Sequence, residues 1–236
     1  MTSSTGTPGV LCVASALPDP PFEFMDGEKP AGFDVDLLQA ICSELGLEWR
    51  VARYVGEDFN GIFAGLSNGA WDCVASGTTI TPERMAIASF CKPYVESGQS
   101  LVCNVEKTPN IHSVNDLRGM ILGVQRGNTS EPVARRLKLQ GQVADIRMYA
   151  YHDIEVMLND LESGNIGAVM KLAPVMYWLV RNRPALRVVQ ERITNEKLGV
   201  AVGLHNEELR QAIDSAQEQL RERGVLGKLM TKWLLT

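Results

Sequence analysis

Two long stretches of this chain alternate short strand-like runs with longer helix-like runs, and this alternation restricts the possible folds more than any other feature of the sequence. In the first stretch the predicted strands are residues 10–15, 48–54 and 71–76, and the predicted helices are residues 34–45 and 60–68. Strands and helices in this order form a parallel sheet covered by helices. We therefore predict an α/β fold for this part of the chain.

The ends of the first predicted helix carry recognisable signals. Asp34 can act as its N-cap, because a side-chain carboxylate accepts hydrogen bonds from the first N–H groups of a helix. Gly46 follows the last apolar position and suits the left-handed conformation that ends many helices. Gly69 has the same position after the second predicted helix.

The same alternation restarts after Gly98 and predicts a second, similar α/β lobe. Its predicted strands are residues 99–105, 120–125, 145–149, 166–170 and 186–190, and its predicted helices are residues 113–117, 130–139, 152–162 and 174–181. The chain ends with a predicted strand at residues 199–204 and helices at residues 207–223 and 226–233. Periodicity does not decide which lobe this last segment covers.

Composition and charge exclude several classes of protein. The 236 residues are 45% hydrophobic and 22% charged, as in ordinary globular domains. The net charge of -5 leaves no basic surface for a nucleic acid, so we expect no nucleic-acid partner. No apolar run approaches the roughly 18 residues of a membrane-spanning helix. Residues 1–8 lack the basic and apolar segments of a secretion signal, so we expect any export signal or anchor to be absent from this sequence.

Cysteine and histidine residues are scattered without the spacing of a metal site or of a catalytic pair. We therefore predict no metal and no cofactor, and we predict that the cysteines are small buried apolar residues. The five cysteines are Cys12, Cys42, Cys73, Cys91 and Cys103.

One candidate binding segment follows the third predicted strand. It contains Gly77 and Thr79, then Thr81 as a predicted N-cap with Pro82 behind it, and it ends in Arg84. A guanidinium at the start of a helix opposes the helix dipole, so another interaction should hold it there. Its planar donors suit a carboxylate ligand. A surface arginine that pairs with a nearby acid is an equally good interpretation.

A second candidate segment has the same pattern in the other lobe. Gly127, Asn128 and Thr129 follow a predicted strand and precede a helix, so N–H groups of this turn could receive the other side of an anion. An ordinary helix cap explains the pattern too. Phe59 follows two acidic residues and precedes a helix, and it is a candidate wall for a ligand. Three other aromatic residues are predicted to lie in the core: Phe22, Phe24 and Phe33.

Several collinear segments resemble the polar amino-acid family of extracytoplasmic solute-binding proteins, the type II proteins of solute-binding family 3. The segments are residues 20–24 (PPFEF), 31–37 (AGFDVDL), 77–84 (GTTITPER), 94–98 (YVESG) and 123–127 (GVQRG), and the pair Lys232 and Trp233. The resemblance runs from about Val10 to Leu234 and is specific for the fold.

The resemblance implies a type II periplasmic-binding-protein-like clamshell of two α/β lobes joined by a two-strand hinge, with the ligand between the lobes. The first lobe would be residues 10–95 plus 199–236, and the second lobe would be residues 96–197. The crossovers would lie near residues 94–98 and 194–198, and residues 1–9 would be a flexible N-terminus.

In this family the arginine that matches Arg84 binds the carboxylate of the ligand. The resemblance also implies contacts from the backbone at Gly77, from the backbone and hydroxyl at Thr79, and from the turn that includes Asn128 and Thr129. The aromatic residue that matches Phe59 lies against the ligand.

The sequence departs from the family at the site for the ligand's ammonium group. The usual aspartate is Leu172 here, its neighbour is the cation Lys171, and a usual aromatic position is Asp19. An unpaired ammonium in a closed site would be costly. Either Asp19, Glu23 or Glu131 compensates it, or the ligand lacks an ammonium group. Lys171 favours a ligand with a second anionic group if it faces the site, and it is otherwise a surface lysine.

We therefore expect a monomeric binding protein, not an enzyme, that delivers a small carboxylate to the membrane permease of an ABC transporter. Its expected place is the periplasm or the outer face of a membrane to which it is anchored. The resemblance leaves two alternatives, the extracytoplasmic domain of a receptor with a fused output domain, and an enzyme like cyclohexadienyl dehydratase. The second alternative needs a general acid beside the leaving hydroxyl.

Overall fold

A computed structural model of the protein describes residues 5–234. The strands in that range are β1 (Val10–Ser15), β2 (Phe24–Asp26), β3 (Lys29–Ala31), β4 (Glu48–Arg53), β5 (Cys73–Val74), β6 (Ala88–Phe90), β7 (Val95–Ser97), β8 (Gln99–Asn104), β9 (Ile121–Gln125), β10 (Asp145–Tyr149), β11 (Ala168–Leu172), β12 (Leu186–Gln190), β13 (Glu196–Leu198) and β14 (Ala201–Gly203). The α-helices are α1 (Phe33–Leu45), α2 (Ala64–Asn68), α3 (Pro82–Met85), α4 (Ser130–Leu139), α5 (Ile154–Ser163), α6 (Ala173–Val180), α7 (Glu207–Glu222) and α8 (Val225–Trp233). Short 3₁₀ turns occupy Phe59–Phe63 and Val114–Asp116.

The chain divides into two compact units. Within the described residues, the first unit is formed by residues 5–55, 61–96 and 197–234, and the second unit is formed by Gly56–Asn60 and Ser97–Glu196. The changes from one unit to the other at residues 96–97 and 196–197 fall in β7 and β13, which pair with each other.

The first unit is built on a mixed five-stranded sheet with the strand order β4-β1-β5-β14-β6. Strand β1 lies parallel to β4 and β5, as the alternation of strands and helices predicts, and β14 is antiparallel to β5 and β6. Side chains of β1 are buried on both faces, which is typical of a parallel strand covered by helices. The core of this unit includes the fully buried Phe22, Phe33 and Phe63.

The second unit is built on another mixed five-stranded sheet, with the order β10-β9-β11-β8-β12. Strand β9 is parallel to β10 and β11, and β8 is antiparallel to β11 and β12. Two apolar clusters cover the two faces of this sheet. Leu122 and Met170 belong to the cluster that includes α4, and Val102 and Val169 belong to the cluster that includes α5 and α6. The expected α/β class is therefore confirmed in both units.

The last segment of the chain belongs to the first unit, a point that periodicity left undecided. Helix α1 packs against α7 and α8. Leu209, Ile213 and Leu220 of α7 are buried at helical spacing. The Asp36 carboxylate accepts hydrogen bonds from Lys232 Nζ at 2.7 Å and Trp233 Nε1 at 2.8 Å, so α8 is fixed to α1 at its C-terminal end.

Two local expectations need correction, and one hairpin was not expected. Helix α1 begins after Gly32, and Asp34 lies inside its first turn instead of capping it. The predicted strand at residues 71–76 is reduced to β5, although Asp72 and Ala75 still donate backbone hydrogen bonds to β1. The hairpin of β2 and β3 was not predicted, because strands of three residues are too short to show a period.

Segment Gly56–Asn60 lies with the second unit, although the sequence places it within the first lobe. Two backbone hydrogen bonds explain this position. Phe59 N donates to Arg126 O at 3.2 Å, and Tyr151 N donates to Glu57 O at 2.8 Å. Such contacts join residues far apart in the chain and leave no local pattern in the sequence.

The predicted flexible N-terminus, residues 1–9, lies partly outside the described residues, as do residues 235–236 of the predicted first lobe. Of the described part, Gly6 N donates to Asp72 Oδ1 at 2.7 Å and Val10 N donates to Thr7 O at 3.1 Å. All five cysteines are buried and carry free thiols, which confirms the expectation that they act as apolar core residues. No helix in the described range has both the length and the apolarity needed to cross a bilayer.

Gly32, just before α1, tests how closely the start of this helix packs against the backbone of Phe22. Its φ of +129° is rare for other residues, and a Cβ atom there would lie 2.2 Å from the backbone oxygen of Phe22. Gly32→Ala should therefore lower the free energy of unfolding by about 2–4 kcal/mol, measured in urea. The matched control is Gly27→Ala in the nearby β2–β3 turn, where φ is +61° but a Cβ atom meets nothing within 4 Å. The control should cost only about 1 kcal/mol, and equal losses would contradict the role of the Phe22 contact.

Candidate functional site

Arg84 lies on the short helix α3 of the first unit, and its local sequence determines that position. Thr81 is the N-cap, with its Oγ1 accepting a hydrogen bond from Arg84 N at 3.3 Å, and Pro82 opens the helix. The predicted capping by Thr81 and Pro82 is thus confirmed. Because the helix is only one turn long, the Arg84 side chain remains close to the residues that precede the cap.

The Arg84 guanidinium is buried in the first unit and its orientation is fixed. The residue is 6% exposed, so the interpretation of Arg84 as a solvated surface arginine is wrong. Nη1 donates to Thr79 O at 2.9 Å, and the guanidinium carbon lies 5.4 Å from the centre of the Phe63 ring. A buried guanidinium held by a carbonyl and an aromatic face keeps its positive charge and its planar set of donors in one orientation.

Gly77 and Thr79 belong to the turn that supports Arg84, and both make hydrogen bonds within the first unit. Gly77 has φ +53°, and its N–H donates to Asp34 Oδ2 at 2.6 Å. Thr78 O accepts from Gly199 N at 3.0 Å. The Gly77 N–H is therefore occupied within the unit, and the Thr79 carbonyl serves to orient Arg84.

Asp34 does not cap α1 but lies buried in the first turn of that helix. Burial raises the pKa of this carboxyl from 3.8 to about 7. The hydrogen bond from Gly77 N and the Tyr94 side chain favour the ionised form and oppose the rise in pKa, whereas the charge of Asp19 adds to it. Asp34 thus links helix α1 to the turn that carries the proposed ligand residues.

Two acids that could compensate a ligand's ammonium group are buried near the end of β1. Asp19 is 5% exposed, and its N–H donates to Glu23 O at 2.7 Å. Glu23 is fully buried and accepts a hydrogen bond from the Ser76 hydroxyl, which in turn accepts from Ala16 N at 3.0 Å. Glu23 is thereby part of the internal hydrogen bonding of the first unit.

The second candidate turn lies in the second unit and is also largely satisfied internally. Gly127 N donates to Glu131 Oε2 at 3.0 Å, so this N–H and this acid are both engaged. Glu131 Oε1 also accepts from Arg135. Asn128 Nδ2 donates to Gln125 Oε1 at 3.2 Å. The Gly127 N–H is thus engaged within the second unit, and the expectation that N–H groups of this turn receive an anion stays a prediction.

Thr129 precedes α4 but makes no side-chain cap to it. Its hydroxyl donates to Glu196 Oε2 at 2.8 Å and accepts from Gln99 Nε2 at 3.0 Å. Glu196 and Gln99 were not identified from the sequence. Their partners lie 67 and 30 residues away from them in the chain, and no local motif joins them.

Phe59 and Lys171 lie close to Tyr151 in the second unit. Phe59 is 3% exposed, and its ring centre lies 5.2 Å from that of Tyr151. Lys171 is also 3% exposed, which excludes the interpretation as a surface lysine. Its Nζ donates to Gln125 Oε1 at 2.8 Å and lies 5.3 Å from the centre of the Tyr151 ring.

Leu172 is the last residue of β11 and the N-cap of α6, where it makes no side-chain cap. It is buried, and in the antiparallel pairing of β11 with β8 it stands opposite Gln99. An apolar side chain therefore occupies the position at which the family usually carries an aspartate.

A surface cavity of about 370 Å³ lies elsewhere in the second unit and contains none of the predicted ligand residues. Its polar side chains cap the end of α5. Asn104 Nδ2 donates to Glu162 O at 3.0 Å, and Lys107 Nζ donates to Ser163 O at 3.0 Å. These groups have a structural role, so the cavity is not a candidate ligand site. Among the described side chains, no group of three or more His, Cys, Asp or Glu residues is placed to hold a metal ion.

Comparison with known proteins assigns the chain to a family. Residues 11–236 match the family described as "Bacterial extracellular solute-binding proteins, family 3". The chain belongs to this family, and the resemblance found in the sequence is confirmed. The type II fold is confirmed as well.

Individual relatives agree with this assignment. The L-cystine-binding protein TcyJ of Escherichia coli (strain K12) is 30% identical over 95% of this chain and 82% of its own length. An ancestral arginine-binding protein bound to arginine is 33% identical, with a TM-score of 0.86 over 95% of this chain and 98% of its own. AncCDT-1, an ancestral amino acid-binding protein and a precursor of cyclohexadienyl dehydratase, is 31% identical, with a TM-score of 0.85 over 96% and 95% of the two chains.

The raised pKa of Asp34 predicts how stability depends on pH. Between pH 3.8 and about 7 the folded protein keeps the Asp34 proton that the unfolded chain releases. This residue should therefore make the protein more stable as the pH falls from 7 towards 4, by up to about 1.4 kcal/mol per pH unit. Asp34→Asn keeps an acceptor for Gly77 N and should remove this contribution.

Urea unfolding of both proteins at pH 7.5, 6 and 5 measures the effect. The matched control is Asp26→Asn, which changes an exposed acid of the same unit and should leave the pH dependence as in the wild type. If the free energy of unfolding depends on pH in the same way for the wild type and Asp34→Asn, the pKa of Asp34 in the folded protein is close to its ordinary value.

Proposed function

We propose that this protein binds a small carboxylate, an amino acid or a related organic acid, outside the cytoplasm and delivers it to the permease of an ABC transporter. Membership of the solute-binding family supports this role. The cystine-binding and arginine-binding relatives, which align over nearly the whole chain, support an amino acid or a close analogue as the ligand.

The observation that carries the proposal is the buried Arg84 guanidinium. A carboxylate that leaves water must exchange its hydration for aligned donors, and a preoriented guanidinium supplies them through charge-assisted hydrogen bonds. Thr79 and Phe63 hold this group in place within the first unit. We assign Arg84 as the main carboxylate ligand, with the backbone and hydroxyl of Thr79 as further contacts. Gly77 is assigned to the site through the rest of its backbone, because its N–H donates to Asp34.

Residues of the second unit complete the proposed site. We assign Asn128 and Thr129 as polar contacts to the same ligand and Phe59 as an apolar contact, by their match to the family's ligand-binding turn and aromatic position. Gly127 N is excluded from this set because Glu131 occupies it.

Lys171 and Asp19 are assigned to the part of the ligand remote from Arg84, and Leu172 borders it as an apolar residue. Lys171 is a buried cation whose ammonium lies over an aromatic ring.

Catalysis is a second candidate, since AncCDT-1 is a precursor of an enzyme. Elimination of water from a ring requires a general acid at the leaving hydroxyl. Leu172 is apolar and Glu131 is engaged by Arg135 and Gly127, so neither provides that acid. We propose that the protein binds without turnover. Incubation with prephenate or arogenate should release no aromatic product, and turnover would reverse this assignment.

We propose that the protein works as a monomer in the periplasm or at the outer face of a membrane to which it is anchored. A receptor with a fused output domain would use the same ligand site. Co-purification of the full-length gene product with a permease supports transport, and a cytoplasmic output domain in that gene would support the receptor role.

A thermal-shift screen of amino acids, 2-hydroxy acids, keto acids and dicarboxylates identifies the ligand class. A compound that binds only the folded protein raises the melting temperature by mass action. We expect at least one small carboxylate to raise the melting temperature of the protein. If none does so, the proposed function is wrong.

Arg84→Ala tests the assigned carboxylate contact. Binding of the ligand from the screen should weaken by at least about 2 kcal/mol, because a buried charge-assisted pair is lost. Calorimetric titration measures the change. Arg50→Ala is the control, since it removes an exposed arginine of β4 in the same unit and should leave affinity unchanged. Equal affinity of Arg84→Ala and the wild type would exclude Arg84 from the site.

A further inference from the structure

One buried carboxyl is attached to the turn that carries the proposed carboxylate contacts. Asp34 is 2% exposed, and its Oδ2 accepts a hydrogen bond from Gly77 N at 2.6 Å. Thr79, whose carbonyl holds Arg84, lies two residues after Gly77, so the Cα atoms of these two turn residues are at most about 8 Å apart. All four residues belong to the first unit. A ligand carboxylate bound at Arg84 therefore brings a negative charge to the turn that Asp34 holds.

The surroundings of Asp34 stabilise its ionised form poorly. Oδ1, the second oxygen of this carboxyl, is buried and has no hydrogen-bond partner within residues 5–234. An ionised carboxylate is costly in such a place. Asp19, in the segment after β1, adds a like charge. The pKa of Asp34 is raised to about 7, mainly by burial, so this carboxyl changes its charge near neutral pH.

Other polar groups around the Asp34 carboxyl set the balance between its two forms. The Tyr94 side chain favours the ionised form and opposes the effect of burial. Glu23 is fully buried and places a further negative charge beside Tyr94. On helix α1 itself, the Asp36 carboxylate accepts a hydrogen bond from Lys232 Nζ at 2.7 Å, which offsets its charge.

The proton on Asp34 changes the charge beside the turn more than it changes the position of the turn. A protonated carboxyl keeps an oxygen that accepts a hydrogen bond, so the contact with Gly77 N is available in both forms. An ionised Asp34, in contrast, repels a carboxylate held at Arg84, and buried charges are screened less than exposed ones. By linkage, binding of that carboxylate raises the pKa of Asp34 and favours uptake of a proton.

We propose that Asp34 is a positioning residue that couples ligand binding to proton uptake, so that the protein gains a proton on this carboxyl when a carboxylate binds at Arg84. Affinity then falls as the pH rises above neutral. The hydrogen bond from Gly77 N to Asp34 is the physical link between the two events. This inference rests on the proposed function, because it assumes that a small carboxylate binds at Arg84.

Calorimetric titration in two buffers tests the inference. The probe is the compound that gives the largest thermal shift among L-glutamine, L-glutamate, L-arginine, L-lactate and 2-oxoglutarate, whose own charges change little between pH 6 and 8. HEPES and Tris differ in enthalpy of ionisation, so the difference in measured heat gives the number of protons taken up. If binding raises the pKa of Asp34 by about one unit, the wild type should take up about half a proton per ligand at pH 7.5 and should bind about fivefold more weakly at pH 8 than at pH 6.

Three variants assign the proton to its group. Asp34→Asn keeps an acceptor for Gly77 N but cannot be protonated, so it should lose the proton uptake and bind the probe more tightly than the wild type at pH 8. The matched control is His205→Gln, which removes an exposed histidine of the same unit, the side-chain type that most often exchanges a proton near neutral pH. This control should keep the proton uptake of the wild type.

Tyr94→Phe keeps the test valid if Asp34→Asn folds poorly. It removes a group that favours ionised Asp34, so the proton uptake should persist and reach its maximum at a higher pH than in the wild type. An unchanged pH of maximum uptake in this variant would contradict the assignment of the proton to Asp34.

The outcomes distinguish the inference from the function beneath it. If no carboxylate of the panel raises the melting temperature, the proposed function fails and the inference fails with it. If a probe binds without proton uptake, the protein is a carboxylate binder and the inference alone is overturned. If Asp34→Asn takes up as many protons as the wild type, another group gains the proton, and the inference is overturned as well.

Discussion

The proposed binding of a carboxylate depends on one buried guanidinium, that of Arg84. Arg84 is carried by a one-turn helix whose cap and first proline fix its backbone, and its side chain is held by the Thr79 carbonyl and the Phe63 ring. A guanidinium held by a carbonyl and an aromatic face keeps its planar set of donors in one orientation. The turn beneath it is fixed in its own right, because Gly77 donates to the buried Asp34 carboxylate. Residues of the first unit therefore hold both the Arg84 side chain and the turn beneath it.

The second unit shows how internal hydrogen bonds change the chemistry that a sequence motif suggests. The glycine turn at residues 127–129 has the sequence of an anion-binding turn, but Glu131 occupies the Gly127 N–H, and the Thr129 hydroxyl donates to Glu196. The Glu131 carboxylate therefore takes the donor that the motif alone would offer to an anion.

Local periodicity and cap signals predicted the strands, the helices and the parallel pairing of β1 with β4 and β5, because each depends on neighbouring residues. Arg84 could be identified as a candidate because a cation is unusual at a helix start. Its burial, and that of Lys171, could not be predicted, since the exposure of a strand or turn residue depends on distant segments. The local sequence suggests a cap at Asp34, because the actual partner of its carboxyl, Gly77, lies 43 residues away and leaves no local pattern. The hydrogen bond between Thr129 and Glu196 could not be predicted for the same reason, since these residues are 67 positions apart.

The central claim is that Arg84 recognises a carboxylate by charge and not only by shape. The most direct measurement compares the ligand identified in the screen with its carboxamide, which has nearly the same shape but no negative charge, by calorimetric titration. We expect the carboxamide to bind the wild-type protein at least about 30-fold more weakly, and we expect this difference to disappear in the Arg84→Ala variant. Equal binding of the acid and the amide by the wild-type protein would show that Arg84 does not recognise the charge of the carboxylate.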